Sequence, residues 1–195
     1  MTTTETRLDS KIVLMMGISL DGFVAVPSAN GLTPVMEGLG GLPPEDPELT
    51  KAKLAWIWEA GAHLMGRITY EEMAAFWPTS TADYAAPMNE IPKVVFSKGL
   101  ERADWPESRV ARGDLADEIA KLKGESDKDL IAWGGASFAQ SLARRGIVAE
   151  YRLTTHPVAV GDGEPLFKDI PAPVRLKLVD TKIFNSAAVH VFQPA

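Results

Sequence analysis

Leu64-Met65-Gly66-Arg67-Ile68-Thr69-Tyr70-Glu71 sets an apolar run against a glycine and starts a helix with no loop between them. Ile131-Ala132-Trp133-Gly134-Gly135-Ala136-Ser137-Phe138 repeats the design. The first backbone N–H groups of a helix lack intrahelical partners, and the macrodipole presents partial positive charge there. Glycine at that point lets an anion approach the backbone closely. Arg67 adds a charged donor, and the hydroxyls of Thr69 and Ser137 add neutral ones. Two such cradles suit a ligand with more than one phosphate, such as a dinucleotide. Taken singly, each segment also reads as a tight turn with Thr69 or Ser137 as an N-cap. Neither matches the Walker loop or the G-x-G-x-x-G fingerprint.

Outward from these segments the chain keeps to βα units. Ile12-Val13-Leu14-Met15-Met16 is a continuous apolar run, as in a strand covered on both faces of a mainly parallel sheet. Asp21-Gly22 turns the chain, and Phe23-Val24-Ala25 continues it. From 27 to 47 glycine and proline dominate (Gly38, Gly40, Gly41, Pro43, Pro44, Pro47), which predicts a long functional loop, a candidate lid. Glu48–Ala60 reads as a helix with Leu49, Ala52, Leu54, Ile57 and Trp58 on its apolar face. Tyr70–Phe76 carries the body of the helix after Gly66, and Trp77-Pro78 ends it. A polar connection, 79–92, leads to a strand at Lys93–Ser97, then a short strand at Val110-Ala111. Asp114 N-caps a helix at Leu115–Lys123. A helix over Ser137–Arg145 with Gly146 as its stop, a strand at Glu150–Pro157 and a closing hairpin of Arg175–Val179 with Ala188–Phe192 complete the order. Parallel units first and antiparallel strands last predict an α/β domain with a mixed sheet.

The chain has 195 residues, 46% hydrophobic and 24% charged, enough for one domain with a real core. Residues 1–10 read as a disordered polar tail, and 11–195 as a single domain. A net charge of -6 and the lack of any basic block exclude a nucleic-acid stripe. With no cysteine there is no disulfide scaffold, thiolate metal site or cysteine nucleophile. No apolar stretch has the length of a bilayer span, so a cytoplasmic protein without membrane or nucleic-acid partners is expected. His63, His156 and His190 show no metal spacing and read as structural. Ser19, Ser97 and Ser137 lack a nucleophile elbow. Trp56 and Trp58, two apart, cannot share a helix face.

Several motifs in their order resemble a known family. They are Ile18-Ser19-Leu20-Asp21-Gly22-Phe23-Val24-Ala25, the Leu64–Glu71 segment, Trp133-Gly134-Gly135 leading to Phe138, Glu150-Tyr151-Arg152-Leu153 and Gly161-Asp162-Gly163-Glu164-Pro165-Leu166-Phe167. The set is similar to the dihydrofolate reductase-like family, in the branch of the RibD C-terminal reductase domain of riboflavin biosynthesis. The resemblance implies a three-layer α/β/α fold, a central mixed and mostly parallel sheet, NADPH as cofactor and a homodimer. Residue by residue it implies cofactor-phosphate contacts at Gly66, Arg67 and Thr69 and at Gly134, Gly135, Ala136 and Ser137, where the family often has a cis Gly–Gly bond. It places Ser97 and Lys98 at the adenosine 2′-phosphate, and the backbone of Gly17 and Ile18 beside the nicotinamide. Asp21 becomes a candidate to orient substrate or relay a proton, set against a plain Asp-Gly turn. Leu54-Ala55-Trp56 resembles the run that follows the pterin-anchoring acid of dihydrofolate reductase, but Lys53 precedes it, so folate reduction is not expected. The implied activity is reduction of a small polar, pyrimidine- or pterin-like substrate. The rivals are a non-catalytic NADP(H)-binding module and a homo-oligomeric interaction domain.

Overall fold

The computed structural model describes residues 10–28, 31–35 and 44–195. The stretch 1–9 and the loop residues Gly38, Gly40, Gly41 and Pro43 lie outside them. Ser10, expected in the tail, is buried and donates its hydroxyl to the Lys123 carbonyl at 3.2 Å, so the packed domain already includes it.

Strand β1 (Ile12–Ser19) is the centre of the molecule. Ile12 to Met15 are all buried, as a run with no polar alternation requires. Around it an eight-stranded sheet forms. β7 (Leu130–Ala132) and β8 (Glu150–His156) flank β1 in parallel. β4 (Ala62–Gly66), β5 (Lys93–Phe96) and β6 (Ser108–Ala111) extend the parallel array beyond β7. On the other side β11 (Ala188–Pro194) pairs antiparallel with β8 and with the edge strand β10 (Leu176–Ile183), the expected hairpin.

Among the described residues lie the helices α1 (Pro47–Trp58), α2 (Arg67–Phe76), α3 (Ala85–Glu90), α4 (Leu115–Glu125) and α5 (Ala136–Arg144). They flank the sheet in the dihydrofolate reductase-like arrangement, and α5 buries Ala136, Phe138, Ala139 and Leu142 in the main core. Asp46 and Asp114 cap α1 and α4 by accepting from the N–H groups of Glu48 and Ala116.

The structure differs from the sequence reading elsewhere too. Gly31–Pro34, inside the expected loop, is a strand (β3) paired with β2 (Phe23–Ser28), which also meets β9 (Glu164–Pro165) in a second, antiparallel sheet. Trp58, placed on the apolar face of α1, is 45% exposed; Leu49 and Ile57 are the residues buried from that helix. α3 interrupts the expected 79–92 connection. Its last carbonyls, Met88 and Asn89, accept from the buried Lys93 ammonium at 3.1 and 2.6 Å, a C-terminal cap supplied by the following strand. Finally, there is no cis peptide among the described residues: Gly134–Gly135 is trans. The turn is made instead by glycine backbone angles, with Gly134 at φ +24° and Gly135 at φ −2°.

Candidate functional site

Because β1, β7, β4 and β5 run parallel, their C-terminal ends share one edge of the sheet. That edge is where open α/β sheets bind ligands. It gathers every cofactor residue that the sequence singled out, strand by strand: Gly17 and Ile18 on β1, Gly134 to Ser137 after β7, Gly66, Arg67 and Thr69 after β4, and Ser97 and Lys98 after β5. Three strand spacings, about 14 Å, separate the first of these from the last.

The two helix starts touch. Gly135 donates its N–H to the Thr69 hydroxyl at 2.7 Å, and a Cβ at Gly66 would stand 3.3 Å from Cβ of Phe138. The N-caps are Gly66 and Gly135, so neither Thr69 nor Ser137 caps its helix, and no side chain caps either one. Neither α2 nor α5 carries an acid in its first turn, whereas α1 has Glu48 and α4 has Asp117 and Glu118 there. Two adjacent helix starts are thus left, like that of the short α3, without the caps and acids that serve α1 and α4, with partial positive charge facing outward. Arg67 occupies the first helical position, where a cation is unfavourable unless an anion joins it. It forks onto Glu71 at 2.9 and 2.8 Å and is half exposed. Ser137 is exposed and Ala136 buried. The Ser97 hydroxyl accepts from the Gly99 and Leu100 N–H groups, shaping the turn that exposes Lys98. Arg112, which the sequence reading missed, braces the same turn by donating to the Leu100 and Glu101 carbonyls. It follows Ala111, the partner of Phe96 across β5 and β6, and only that pairing brings it to the turn that follows β5.

Asp21 is engaged otherwise. It accepts from the Ser19 hydroxyl at 2.6 Å and from the N–H groups of Val160 and Gly161, pinning the loop after β8 to the end of β1. These bonds, led by that from Ser19, lower its pKa to about 2, so it is ionised near neutrality and holds no proton to give.

Beside β1 lies a cavity of about 220 Å³. Gly17 opens onto it, as do Met15, Met16, Met73, Met88, Trp77 and Trp133, together with Lys53, Tyr84 and Thr154. Trp133 is held in place by His63: the indole N–H donates to Nδ1 at 2.8 Å, and the opposite ring nitrogen donates to the Pro87 carbonyl at 3.2 Å. Burial lowers the His63 pKa to about 4, so the neutral ring that accepts from Trp133 is the stable form.

Behind the cavity, Glu45 accepts from the Lys53 ammonium, the Tyr84 hydroxyl and the Thr50 hydroxyl. Burial pushes the Glu45 pKa up, but the Lys53 charge and these hydrogen bonds outweigh it and hold the carboxyl below its usual range. Burial, then the Glu45 bond and charge, raise the Tyr84 pKa above that of an ordinary tyrosine. No local spacing announces this group, since Glu45 just before α1 and Lys53 on it meet Tyr84 from a separate segment. The departure at Lys53 was its one visible sign. Among the described residues there is no cluster of three side chains able to hold a metal, and no helix is long and apolar enough to cross a membrane.

Fold and site together define an α/β domain whose parallel strands end on one edge, with a cavity of mainly apolar lining beside it. The chain belongs to the RibD C-terminal domain family, whose model matches residues 10–189. It is 36% identical over 99 residues to the uncharacterized protein YyaP of Bacillus subtilis (strain 168), a match over 51% of this chain and 52% of YyaP, so the chain spans about half the length of that relative. A pyrimidine reductase-like protein from Corynebacterium diphtheriae superposes with TM-score 0.68 at 17% identity, over 95% of this chain and 92% of that one. The diaminohydroxyphosphoribosylaminopyrimidine deaminase/5-amino-6-(5-phosphoribosylamino)uracil reductase of Thermotoga maritima does so with TM-score 0.64 at 16% identity, over 95% and 57%. At these identities the structural matches speak for the fold.

Proposed function

We propose that the chain is an NADPH-dependent oxidoreductase that reduces a small molecule held in the cavity beside β1, and that it works as a cytoplasmic homodimer. The observation that carries the reading is the pair of touching helix starts at Gly66 and Gly135, free of caps and first-turn acids. Such a pair fits a pyrophosphate. Bound there, NADPH would supply the hydride. The chain's part is to hold and orient. The α2 and α5 N–H groups and Arg67 take the phosphates, Lys98 with Arg112 takes the 2′-phosphate, and Gly17 and Ile18 leave a backbone wall beside the cavity. The family's namesake substrate, a ribosylaminopyrimidine of riboflavin synthesis, is the first to assay.

Titrating NADPH and NADH against tryptophan fluorescence tests the reading, since Trp77 and Trp133 line the cavity. NADPH should quench saturably. A Lys98→Ala/Arg112→Ala variant should lose about tenfold in NADPH affinity through lost charge-assisted bonds, with NADH unchanged. Absence of any NADPH binding by the wild-type chain would refute the reading.

The homodimer draws its support from β10. This eight-residue edge strand exposes Leu178 by 53%, Val179 by 41% and Ile183 by 83%. Long apolar edges are normally blunted or covered, and a second copy would cover this one. Sedimentation should give a dimer for the wild type and a monomer for Ile183→Lys. Identical sedimentation of the two would exclude β10 as the interface.

A further inference from the structure

We propose that the cavity beside β1 takes a small, flat, phosphate-free conjugated carbonyl compound, a quinone or cyclic enone in chemical class, whose oxygen accepts a hydrogen bond from Lys53. The proposal rests on the reading of the chain as a reductase and narrows what it reduces, away from the ribosylaminopyrimidine of the family's name.

The walls set the shape. Met15, Met16, Met73 and Met88 offer flexible, polarisable thioethers, and Trp77 and Trp133 offer rigid rings. Such a lining closes on a planar apolar ligand. For the several hydroxyls of a sugar it offers few partners, Lys53, Tyr84 and Thr154 alone among the described lining side chains, and burial penalises those left over. At about 220 Å³ the cavity is smaller than the ~300 Å³ at which pockets for drug-sized ligands begin.

The polar groups set the chemistry. Of the described lining residues, Lys53 is the one cation. Its side chain is 17% exposed and its ammonium carries three protons, one of them on Glu45. Two remain for a ligand oxygen. The Tyr84 proton is already given to Glu45, so Tyr84 competes poorly as donor. The Lys53–Glu45 pair has no net charge. A dianionic phosphate brought to Lys53 would stand near the Glu45 carboxylate with no second cation to offset it. His156, close enough to feel both charges, does not supply one: burial above all, with Lys53 adding to it, lowers its pKa to about 4, and its Nε2 is buried without a hydrogen-bond partner among the described residues. His63 is neutral for the same first reason. A neutral carbonyl oxygen meets none of these obstacles, and a half-buried ammonium polarises it well.

The probes are 1,4-naphthoquinone and ribose 5-phosphate, titrated by calorimetry into the cofactor-free chain, with NADPH titrated separately. Naphthoquinone should bind saturably and ribose 5-phosphate should give no heat. Lys53→Met should weaken naphthoquinone roughly 10-fold or more, the usual worth of a hydrogen bond from a charged donor, and Lys53→Arg should retain most of the affinity. Lys53→Met alone strands the Glu45 carboxylate and endangers folding, so Glu45→Gln/Lys53→Met, which removes both charges, should show the same loss. Undiminished naphthoquinone binding by the folded double variant would overturn the proposal, as would displacement of naphthoquinone by ribose 5-phosphate. A chain that binds NADPH but not naphthoquinone loses this proposal alone. One that binds no NADPH loses the reductase reading, and the naphthoquinone titration still decides the pocket.

Discussion

An Arg67→Glu variant should bind NADPH about 100-fold more weakly than the wild type while unfolding at nearly the same temperature. The loss has two parts. A charge-assisted hydrogen bond to phosphate contributes roughly 1.5–3 kcal/mol, and a carboxylate in its place repels the ligand it should hold. The stability effects oppose each other. Arg67 sits at the first position of α2, where a cation meets the positive end of the helix dipole, so glutamate there gains about 0.3–1 kcal/mol. The same change removes the exposed Arg67–Glu71 pair and sets two acids four residues apart, a loss of a few tenths to about 1 kcal/mol. A thermal melt and an NADPH titration on one preparation check both halves. Unchanged affinity would remove Arg67 from the phosphate site and weaken the case for the cradle.

Acid should destabilise the fold through His63 well before the carboxylates titrate. In the folded chain burial lowers its pKa to about 4, against an ordinary value near 6.5 in the unfolded chain. The unfolded state therefore binds more protons across that interval, and stability falls as pH falls. The His63 contribution is intact above pH 6.5, down by about 2 kcal/mol at pH 5 and by about 3 kcal/mol at pH 4. Protonating Nδ1 also removes the acceptor for the Trp133 indole, so a wall of the cavity should loosen together with the fold. His156 adds in the same direction, also through burial. Urea unfolding at pH 7, 6 and 5 measures the slope while the lowered carboxylates Glu45 and Glu150 remain charged. His63→Gln should flatten it clearly. An equal slope in that variant would mean that His63 is not held neutral.

The chain order alone determined the parallel centre of this protein. An unbroken apolar run such as Ile12 to Met15, short and soon followed by a turn, suits a strand covered on both faces, and a strand stopping at glycine before a helix at Gly66 and at Gly134 implies crossover units. Those rules are local, so the shared edge where these strands end was legible before any coordinates. The places that resisted reading are those where local signal is weak and distant partners decide. β3 carries Gly31 and Pro34 in four residues, so it lacks a strand's alternation and exists through its pairing with β2. α3, six residues long with a proline inside, is too short to be stable by itself. It is held by Lys93 at its last carbonyls and by Asn89, which donates to Trp77 and accepts from Trp105.

The same division runs through the site. The glycines and hydroxyls proposed to bind phosphate would do so from the chain's own turns, so their spacing in the sequence carries the information. The cavity is different, because burial and charge pairing depend on which segments meet. Lys53 lies on α1, Glu45 just before it and Tyr84 beside α3, and only packing makes them one group. Likewise Asp21 read as a turn or a proton relay until the loop after β8 came back to it and occupied its oxygens. Contacts between residues far apart in the chain have no sequence period, and tertiary structure alone decided them.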